Sequence, residues 1–417
     1  MSSDVAELIR DADALPDGWR SLRLEEVTRL GGGTTPSRGE AGYWDGATIP
    51  WATPSDITSL AAGATTISGT ENMVTERALA ECSLPLNPPG TVLMTSRATI
   101  GFVAINAVPM TTNQGFITFN AGRDLDPEFL LHWLIAQRSN LVAAAGGSTF
   151  KELSRGTAKL LPILLPPLDE QRRIAEVLRS VDGAIAAADL ALSQAVKVER
   201  DVMIAQLLLP RTASDPLPDG WQATAIGAIG KVQAGRQRAP SFTQGFVRPY
   251  LRVANVFDGY IDTSDVLEMP FTDREFAQYR LLPGDILLNE GQSIELVGRA
   301  ARYEGNPADC CFQNTLVRFR ATAVNANYAY ALIRTMYAAG RFSEIASRTT
   351  SVAHLGVSRF AALLAPVPPA ATQIAIAELF AGLERTVAEQ RLSLASLRTK
   401  KEGLVANLLS GRVRVPA

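Results

Sequence analysis

Apolar residues along this chain follow two kinds of spacing, and each kind occurs in both halves of the sequence. The first is a series of short apolar and β-branched runs broken by Gly, Pro, Asn and Ser, which is typical of strands and turns. Two stretches within these regions, Pro127–Ser139 and Asn327–Tyr337, instead show helical spacing. We therefore predict two mixed, mainly β domains with a few helices. The clearest strand candidates are Thr91–Met94, Phe102–Ile105, Phe116–Phe119, Ile286–Leu288 and Leu316–Phe319.

The second kind of spacing is a heptad that begins after paired prolines in each half. Apolar residues there recur alternately every four and three residues, over about 35–40 residues or roughly 55 Å of helix. A helix of that length with one apolar seam needs a partner, and the other such helix is the obvious one. The predicted seam positions are Ile174, Leu178, Val181, Ile185, Ala188, Leu192 and Ala195 in the first helix, and Ile376, Phe380, Leu383, Val387, Gln390, Leu394, Leu397 and Leu404 in the second.

The two halves are copies of one unit. The pentapeptide Leu15–Trp19 returns unchanged at Leu217–Trp221, and further matching segments follow in the same order. We predict an α+β fold with pseudo-twofold symmetry, in which two mainly β domains are separated by two long antiparallel coiled-coil helices. The predicted boundaries are a first domain at 1–165, a first helix at 166–212, a second domain at 213–367 and a second helix at 368–417.

Composition narrows the class of protein. With 417 residues, 47% of them hydrophobic, the chain is long and apolar enough to fold, and no apolar run reaches the ~18 residues of a membrane helix. The N-terminal segment has no pattern of a secretion signal, so we expect a soluble, cytoplasmic protein. Three cysteines, two of them adjacent, and two histidines argue against a disulfide framework, a zinc site and a Ser-His-Asp centre.

Charge alone does not identify the partner. A formal charge of -2 argues mildly against nucleic-acid binding, yet most of the basic residues are arginine, which suits bidentate contacts with guanine and phosphate. Two related domains at the ends of a stiff rod also fit the reading of two half-sites on DNA. A purely structural coiled-coil connector has the same periodicity, and the heptad alone does not separate the two.

Several motifs together resemble the specificity (S) subunits of type I restriction-modification systems, and the resemblance covers nearly the whole chain. The most specific is Pro166–Ala175, where a recognition domain meets a helix. The second half departs from the pattern, because Ala371-Thr372 replaces Asp169-Glu170 and the glycine-rich loop shrinks to Gln233–Arg238. The other segments that carry the resemblance are the opening LPDGW, Gly31–Pro36, Ile49–Ile57 and Ser96–Gly101.

The resemblance implies a subunit without a catalytic centre or metal site of its own. It implies double-stranded DNA as one partner, two modification subunits that bind S-adenosylmethionine and methylate adenine, and restriction subunits driven by ATP with Mg²⁺. Each domain would read one half of a bipartite target. A related methyltransferase without restriction activity is the first alternative. A stand-alone nuclease or methyltransferase, and a scaffold without a DNA target, are the others.

Candidate DNA contacts are polar and basic residues on loops rich in Gly, Ser or Thr, since reading base edges needs donors and acceptors on exposed backbone. Asn113 and Gln114 also fit a buried amide that closes a loop. The first-domain candidates are Thr34, Thr35, Ser37, Arg38, Ser96, Arg97, Asn113, Gln114, Ser148, Thr149 and Lys151. The second-domain candidates are Arg236, Gln237, Arg238, Gln292, Ser293, Gln313, Asn314, Arg348, Thr349, Thr350 and His354.

Other conspicuous residues are interpreted as structural. Asn87–Gly90 is similar to the Asn-Pro-Pro-aromatic motif of adenine methyltransferases but lacks the aromatic residue, so we interpret it as a Pro-Gly turn that enters a strand. Trp19 and Trp221 follow Pro-Asp-Gly turns and are predicted core anchors. His132 is predicted to be structural as well. Four basic residues on the first long helix, by default solvated, are a second option for partner contact: Arg172, Arg173, Arg179 and Lys197.

Overall fold

The computed structural model describes residues 15–61, 63–146, 151–207, 209–239, 243–348 and 352–415. The chain divides into two compact units. Unit 1 comprises Met1–Leu190 with Leu392–Ala417, and unit 2 comprises Ala191–Arg391. Each unit therefore holds one domain and half of each long helix. Among the described helices, none combines the length and the apolar character that a membrane span requires.

Unit 1 is built on a five-stranded sheet with the order β2-β9-β6-β7-β4, beside a three-stranded sheet β5-β3-β8 and a pair β1-β10. Its strands are β1 Arg20–Arg23, β2 Thr28–Gly32, β3 Ile49–Ala52, β4 Thr66–Ile67, β5 Met73–Val74, β6 Val92–Thr95, β7 Val103–Asn106, β8 Thr111–Thr112, β9 Phe116–Ala121 and β10 Pro162–Leu165. Its shorter helices are α1 Leu24–Val27, α2 Pro54–Thr58, α3 Glu76–Glu81, α4 Pro127–Ala136, α5 Arg138–Ala144 and α6 Arg155–Lys159, with a 3₁₀ turn at Ala41–Tyr43.

Unit 2 repeats this plan. The sheet β12-β19-β15-β17 corresponds to β2-β9-β6-β7, the sheet β14-β13-β18 to β5-β3-β8, and the pair β11-β22 to β1-β10, while β16-β21-β20 is an additional small sheet. Its strands are β11 Gln222–Ala225, β12 Gly230–Ala234, β13 Phe246–Leu251, β14 Leu267–Phe271, β15 Ile286–Asn289, β16 Gly291–Gln292, β17 Ala300–Arg302, β18 Cys311–Phe312, β19 Leu316–Ala321, β20 Ser347–Arg348, β21 Ala353–His354 and β22 Leu364–Val367. Its shorter helices are α8 Ile226–Ile229, α9 Asp273–Tyr279, α10 Ala326–Ala338, α11 Arg341–Ile345 and α12 Val357–Ala362.

The central strands form because their side chains are apolar on both faces. All four residues of β6 and all four of β15 are buried. In each unit the core also takes in the helix that follows the sheet, α4 in unit 1 and α10 in unit 2. The predicted strands and the two predicted helices are thus present, and the α+β class is confirmed. Pro89 of the predicted turn precedes Gly90, whose φ is 87°, and Pro283 at the matching place in unit 2 precedes Gly284, whose φ is 94°.

The two long helices are α7, Leu168–Gln206, and α13, Ala370–Leu409. Within unit 1 they run antiparallel, because Arg398 binds Asp189 at 3.2 Å, Lys401 binds Asp182, and Arg414 binds Glu170 at 2.7 Å. Six of the predicted seam positions are buried, which agrees with a seam that faces inward. They are Ile174, Leu178, Ile376, Phe380, Val387 and Leu394.

A glutamine at the start of each long helix joins it to the domain before it. The Gln171 amide donates to the carbonyls of Asp124 and Pro166 at 2.8 Å and accepts from the Asp126 amide at 2.8 Å. Gln373 makes the matching bonds, donating to Pro368 at 2.9 Å and accepting from Asn325 at 2.8 Å. Asp126 and Asn325 cap α4 and α10. The motif after the paired prolines is therefore a fixed junction between sheet domain and helix.

Candidate nucleic-acid interface

The glycine-rich loop of unit 1 passes very close to the end of β8. A Cβ on Gly33 would lie 1.8 Å from the Thr112 carbonyl, so only glycine fits there. Next along the chain, the Thr34 amide donates to the same Thr112 carbonyl at 3.1 Å, and the Thr35 hydroxyl donates to the side-chain carbonyl of Gln114. The loop is therefore hydrogen-bonded along its length, and its exposed hydroxyls face outward.

Three separate segments that the sequence marked as candidates meet at one cleft of about 440 Å³ in unit 1. Arg97 lies on its edge, paired with Glu152 at 2.9 Å, and Arg155 makes no hydrogen bond or ion pair within the described part of the chain. Ser96 is buried, so its backbone rather than its hydroxyl shapes the cleft. The cleft is lined by Gly32, Gly33, Ser96, Arg97, Gln114, Phe116, Ile117, Glu152, Leu153, Ser154, Arg155 and Gly156.

Asn113 supports this cleft from within. Its side-chain carbonyl accepts from the Gly115 amide at 2.8 Å, and the Gly115 carbonyl accepts from the Ser96 amide at 2.7 Å. The loop-closing interpretation of the Asn113 amide is therefore confirmed, whereas Gln114 is exposed. Because the two segments are tied together by these bonds, the cleft is built by the fold and does not depend on a ligand.

Unit 2 keeps the same backbone path with different side chains. A Cβ on Gly235 would lie 2.2 Å from the Gln313 carbonyl, and the Arg236 amide donates to Phe312 at 3.0 Å, as Thr34 does to Thr112. The Asn314 amide donates to the Arg236 carbonyl at 3.0 Å. Gln313 and Asn314 thus lie beside Arg236, another of the second-domain candidates.

Arg236 itself differs from expectation. We predicted an exposed arginine on a loop, but its side chain is 6% exposed and pairs with Glu275 at 2.8 Å. It also donates to the Pro270 carbonyl at 2.6 Å and lies over the ring of Phe271, 4.8 Å from its centroid. The guanidinium is used inside the protein because these groups enclose it. Its neighbours Gln237 and Arg238 are exposed and keep the predicted position.

A second group of candidates in unit 2 meets on the small sheet β16-β21-β20. Gln292 and Arg348 pair with Ala353 from its two sides, and His354, the next residue, lies between Gly291 and Ser347. His354 Nδ1 lies 3.0 Å from Glu290 Oε2. Glu290 stands where unit 1 has Ser96: its amide donates to Thr315 at 2.9 Å, and its carbonyl accepts from Leu355 at 2.8 Å.

The remaining candidates occupy varied positions. Lys151 and Ser37 are exposed. Ser293 begins a turn, and its carbonyl accepts hydrogen bonds from the amides of Leu296 and Val297. The candidates Ser148, Thr149, Thr349 and Thr350 lie outside the described residues. Sequence reasoning missed Glu152, Arg155 and Glu290. Glu290 had a signal, since it occupies the Ser96 position of the repeat, but the other two follow the last recognised motif of the domain.

His132, Asn87 and Trp19, which are interpreted as structural, are buried, and Trp221 is half-buried. His132 lies in α4, and burial lowers its pKa to about 4, even though Asp182 lies 3.9 Å away. Asn87 is buried and donates to the Met110 carbonyl at 3.2 Å. Trp19 is in the core and Trp221 packs against its counterpart core. Within the described ranges no group of three His, Cys, Asp or Glu side chains is placed to bind a metal.

Comparison with known proteins gives consistent matches. Residues 16–197 match the family model described as type I restriction modification DNA specificity domain. The type I restriction enzyme MjaIX specificity subunit of Methanocaldococcus jannaschii is 28% identical over 97% of this chain and 96% of its own length. The EcoR124I/EcoR124II specificity subunit of Escherichia coli is 28% identical over 39% of this chain and 40% of its own.

Two solved structures share the fold. One, from work on assembly and conformational transition of the type I R-M system, superposes with a TM-score of 0.60 at 20% identity and covers 96% of this chain and 99% of that one. The other is the type I restriction-modification S subunit from M. genitalium, with a TM-score of 0.52 at 15% identity, covering 95% and 97%. These likenesses extend over both units.

Proposed function

We propose that the chain is a specificity subunit of a type I restriction-modification system, as its matches indicate, and that it reads the DNA target of such a complex, one half-site per unit. The observation that carries the proposal is the repeated site. In each unit a glycine lies against the end of a short strand, the next amide bonds to that strand, and the following candidate segments converge beside it. Two copies of one reading surface suit a bipartite target.

The surface of unit 1 has the chemistry that base and phosphate reading needs. Thr34, Thr35 and Gln114 offer hydroxyl and amide groups, and Arg155 adds a guanidinium with no described partner. Hydroxyls and amides read base edges, while guanidinium groups bind phosphate or guanine. In unit 2 the exposed residues Gln237, Arg238 and Arg348 and the half-buried His354 supply the corresponding groups. We place the half-site contacts on these residues.

We further propose that the chain has no catalytic activity and acts by positioning modification subunits, two per chain, and restriction subunits on DNA. S-adenosylmethionine, ATP and Mg²⁺ would be bound by those partners. The charged faces of the long helices are the surface that we assign to the modification subunits.

Reconstitution with the cognate modification subunit tests the proposal. The pair with S-adenosylmethionine should methylate adenine in one bipartite motif, which sequencing of modified plasmid DNA identifies, and the chain alone should methylate nothing. Methylation by the isolated chain would contradict the non-catalytic assignment. Methylation by the modification subunit at the same motif without the chain would contradict the reading role. ATP-dependent cleavage after addition of a restriction subunit distinguishes a restriction system from a methyltransferase alone.

A further inference from the structure

The loop that follows the unit 1 glycines is anchored on two tryptophans. Trp51 Nε1 donates to the Thr34 carbonyl at 3.0 Å, and Trp44 Nε1 donates to the Ser37 carbonyl at 2.9 Å. The two indoles meet edge to face, with centroids 5.3 Å apart and planes at 83°. Since carbonyls near both ends of the loop are held, its backbone is fixed before any ligand binds.

Arg38, the residue after this anchored segment, lies on the same pair of rings. Its Cζ is 4.0 Å from the centroid of Trp44 and 5.3 Å from that of Trp51. The side chain is exposed, and within the described ranges its one hydrogen bond runs from Nη1 to Asn72 Oδ1 at 3.4 Å. The Nε and Nη2 edge is therefore available, on a guanidinium held over the Trp44 ring.

A stacked guanidinium is useful mainly where orientation counts. A phosphate accepts hydrogen bonds from many directions, so lysine binds it too, as a point charge without a fixed fork. A base edge requires two parallel N–H groups, and in the major groove guanine alone offers two adjacent acceptors, N7 and O6, to such a pair. The aromatic support thus favours base reading over phosphate contact.

We propose that Arg38 reads a guanine in the half-site of unit 1 and that Trp44 is a positioning residue for its guanidinium. This inference rests on the proposed DNA-reading function. It specifies which base is recognised, which residue recognises it and which residue positions that side chain. Trp44 itself touches no base. Its two contributions are the stacking face under Arg38 and the hydrogen bond to Ser37.

The test uses the full chain assembled with its modification subunits and S-adenosylmethionine. Methylation is measured on a pool of sites randomised in the half-site assigned to unit 1, with the other half-site constant. Arg38→Ala and Arg38→Lys should both lower the preference for guanine at one position by about 5- to 150-fold, the range of a bidentate base contact. Lysine keeps the charge but loses the planar fork.

Two tryptophan variants test the support. Trp44→Ala should relax the same single position, whereas Trp44→Phe, which keeps an aromatic face but loses the Ser37 bond, should restore part of the preference. The matched control is Arg77→Ala. Arg77 is also exposed and lies 5.5 Å from the ring of Tyr43, but it is paired with Glu81 at 2.9 Å. Its loss should leave the preference unchanged.

Several results would overturn the assignment. Methylation that falls equally on all sites in Arg38→Ala, with the guanine preference unchanged, would identify a phosphate contact, because phosphate contacts carry no sequence information. Unchanged methylation and unchanged preference in Arg38→Ala would remove the residue from DNA binding altogether. Equal relaxation at every position in Trp44→Ala would indicate a merely structural role. If Arg38→Ala melts at assay temperature, Arg38→Lys, which keeps the aliphatic stem, decides alone. A wild-type complex that methylates no bipartite site contradicts the proposed function, whereas a wild-type motif unaffected by Arg38 contradicts only this inference.

Discussion

Replacing Arg236 by alanine should destabilise unit 2 and should not directly change the base preference at its half-site. The guanidinium is almost fully buried, pairs with Glu275 at 2.8 Å and donates to the Pro270 carbonyl at 2.6 Å. Alanine removes both contacts and leaves the Glu275 carboxylate, 29% exposed, facing the vacated space. This expectation is the opposite of the one that its loop sequence suggests.

The cost follows from the burial of the two partners. Breaking a fully buried ion pair typically costs 3–5 kcal/mol, and the partial exposure of Glu275 reduces this to about 2–4 kcal/mol. For a cooperative unit of this size each kcal/mol shifts the melting temperature by about 2–4 °C. Partial burial acts to raise the pKa of Glu275, but hydrogen bonds from Thr272 and Arg236 outweigh it, and the pKa is lowered. The stabilisation is therefore present above the usual glutamate pKa and is lost as the pH falls through the lowered value.

Scanning calorimetry of Arg236→Ala at neutral pH should show the unit 2 transition lowered by roughly 5–15 °C. The control is Arg238→Ala, an exposed arginine two residues further on, which should change stability by under about 0.5 kcal/mol. If Arg238 is a reader, only that variant relaxes the half-site motif. An Arg236→Ala protein of unaltered stability and relaxed motif would refute the buried-pair argument and restore the sequence-based prediction.

Two further ion-pair clusters give predictions that start from opposite pKa shifts, and in both of them the cost of the substitution shrinks as the pH falls. Arg334→Met in unit 2 leaves the carboxylates of Glu199 and Glu384 without their cation, and burial is the main cause that raises the pKa values of both. Urea unfolding should therefore show a free energy of unfolding lower by about 3–5 kcal/mol at pH 7.5, and this loss should shrink toward pH 5 as the carboxylates are protonated. A loss that is independent of pH would contradict the prediction. In unit 1, burial acts to raise the pKa of Glu170, but hydrogen bonds from Arg414 and Trp19 outweigh it and lower the pKa. Glu170→Gln should therefore reduce the free energy of unfolding by about 1–3 kcal/mol at neutral pH and should have no effect in strong acid. Thermal melting across that pH range measures this difference.

Repetition made most of the architecture predictable from the sequence. The strand candidates needed only short apolar and β-branched runs bounded by turn residues, and the long helices needed only the heptad. Duplication then supplied an internal check, because a weak segment in one half gained support from its partner. The junction glutamines are the clearest case: Gln171 and Gln373 recur in sequence and make the same bonds.

The candidate site was less predictable because the role of a polar side chain depends on what lies across from it. Arg236 and Arg238 look alike in sequence, and only Glu275, far along the chain, makes one of them internal. Arg38 was named as a candidate, but nothing local indicated that Trp44 and Trp51 would lie under it. Contacts of this kind arise from tertiary packing, which periodicity does not encode.

The departure of the second loop from the family pattern has a physical explanation in these contacts. In unit 1 the loop carbonyl of Thr34 is held by the indole N–H of Trp51, whereas the matching position in unit 2 is Tyr250, which has no such donor. Arg236, at the place of Thr34, holds the loop instead through its own side chain on Glu275 and Pro270. The two units therefore share the backbone path of this loop but fix it through different residues. Arg236 anchors the loop of unit 2 as Trp51 anchors that of unit 1, so the presence of an arginine there is by itself no argument for a contact with DNA.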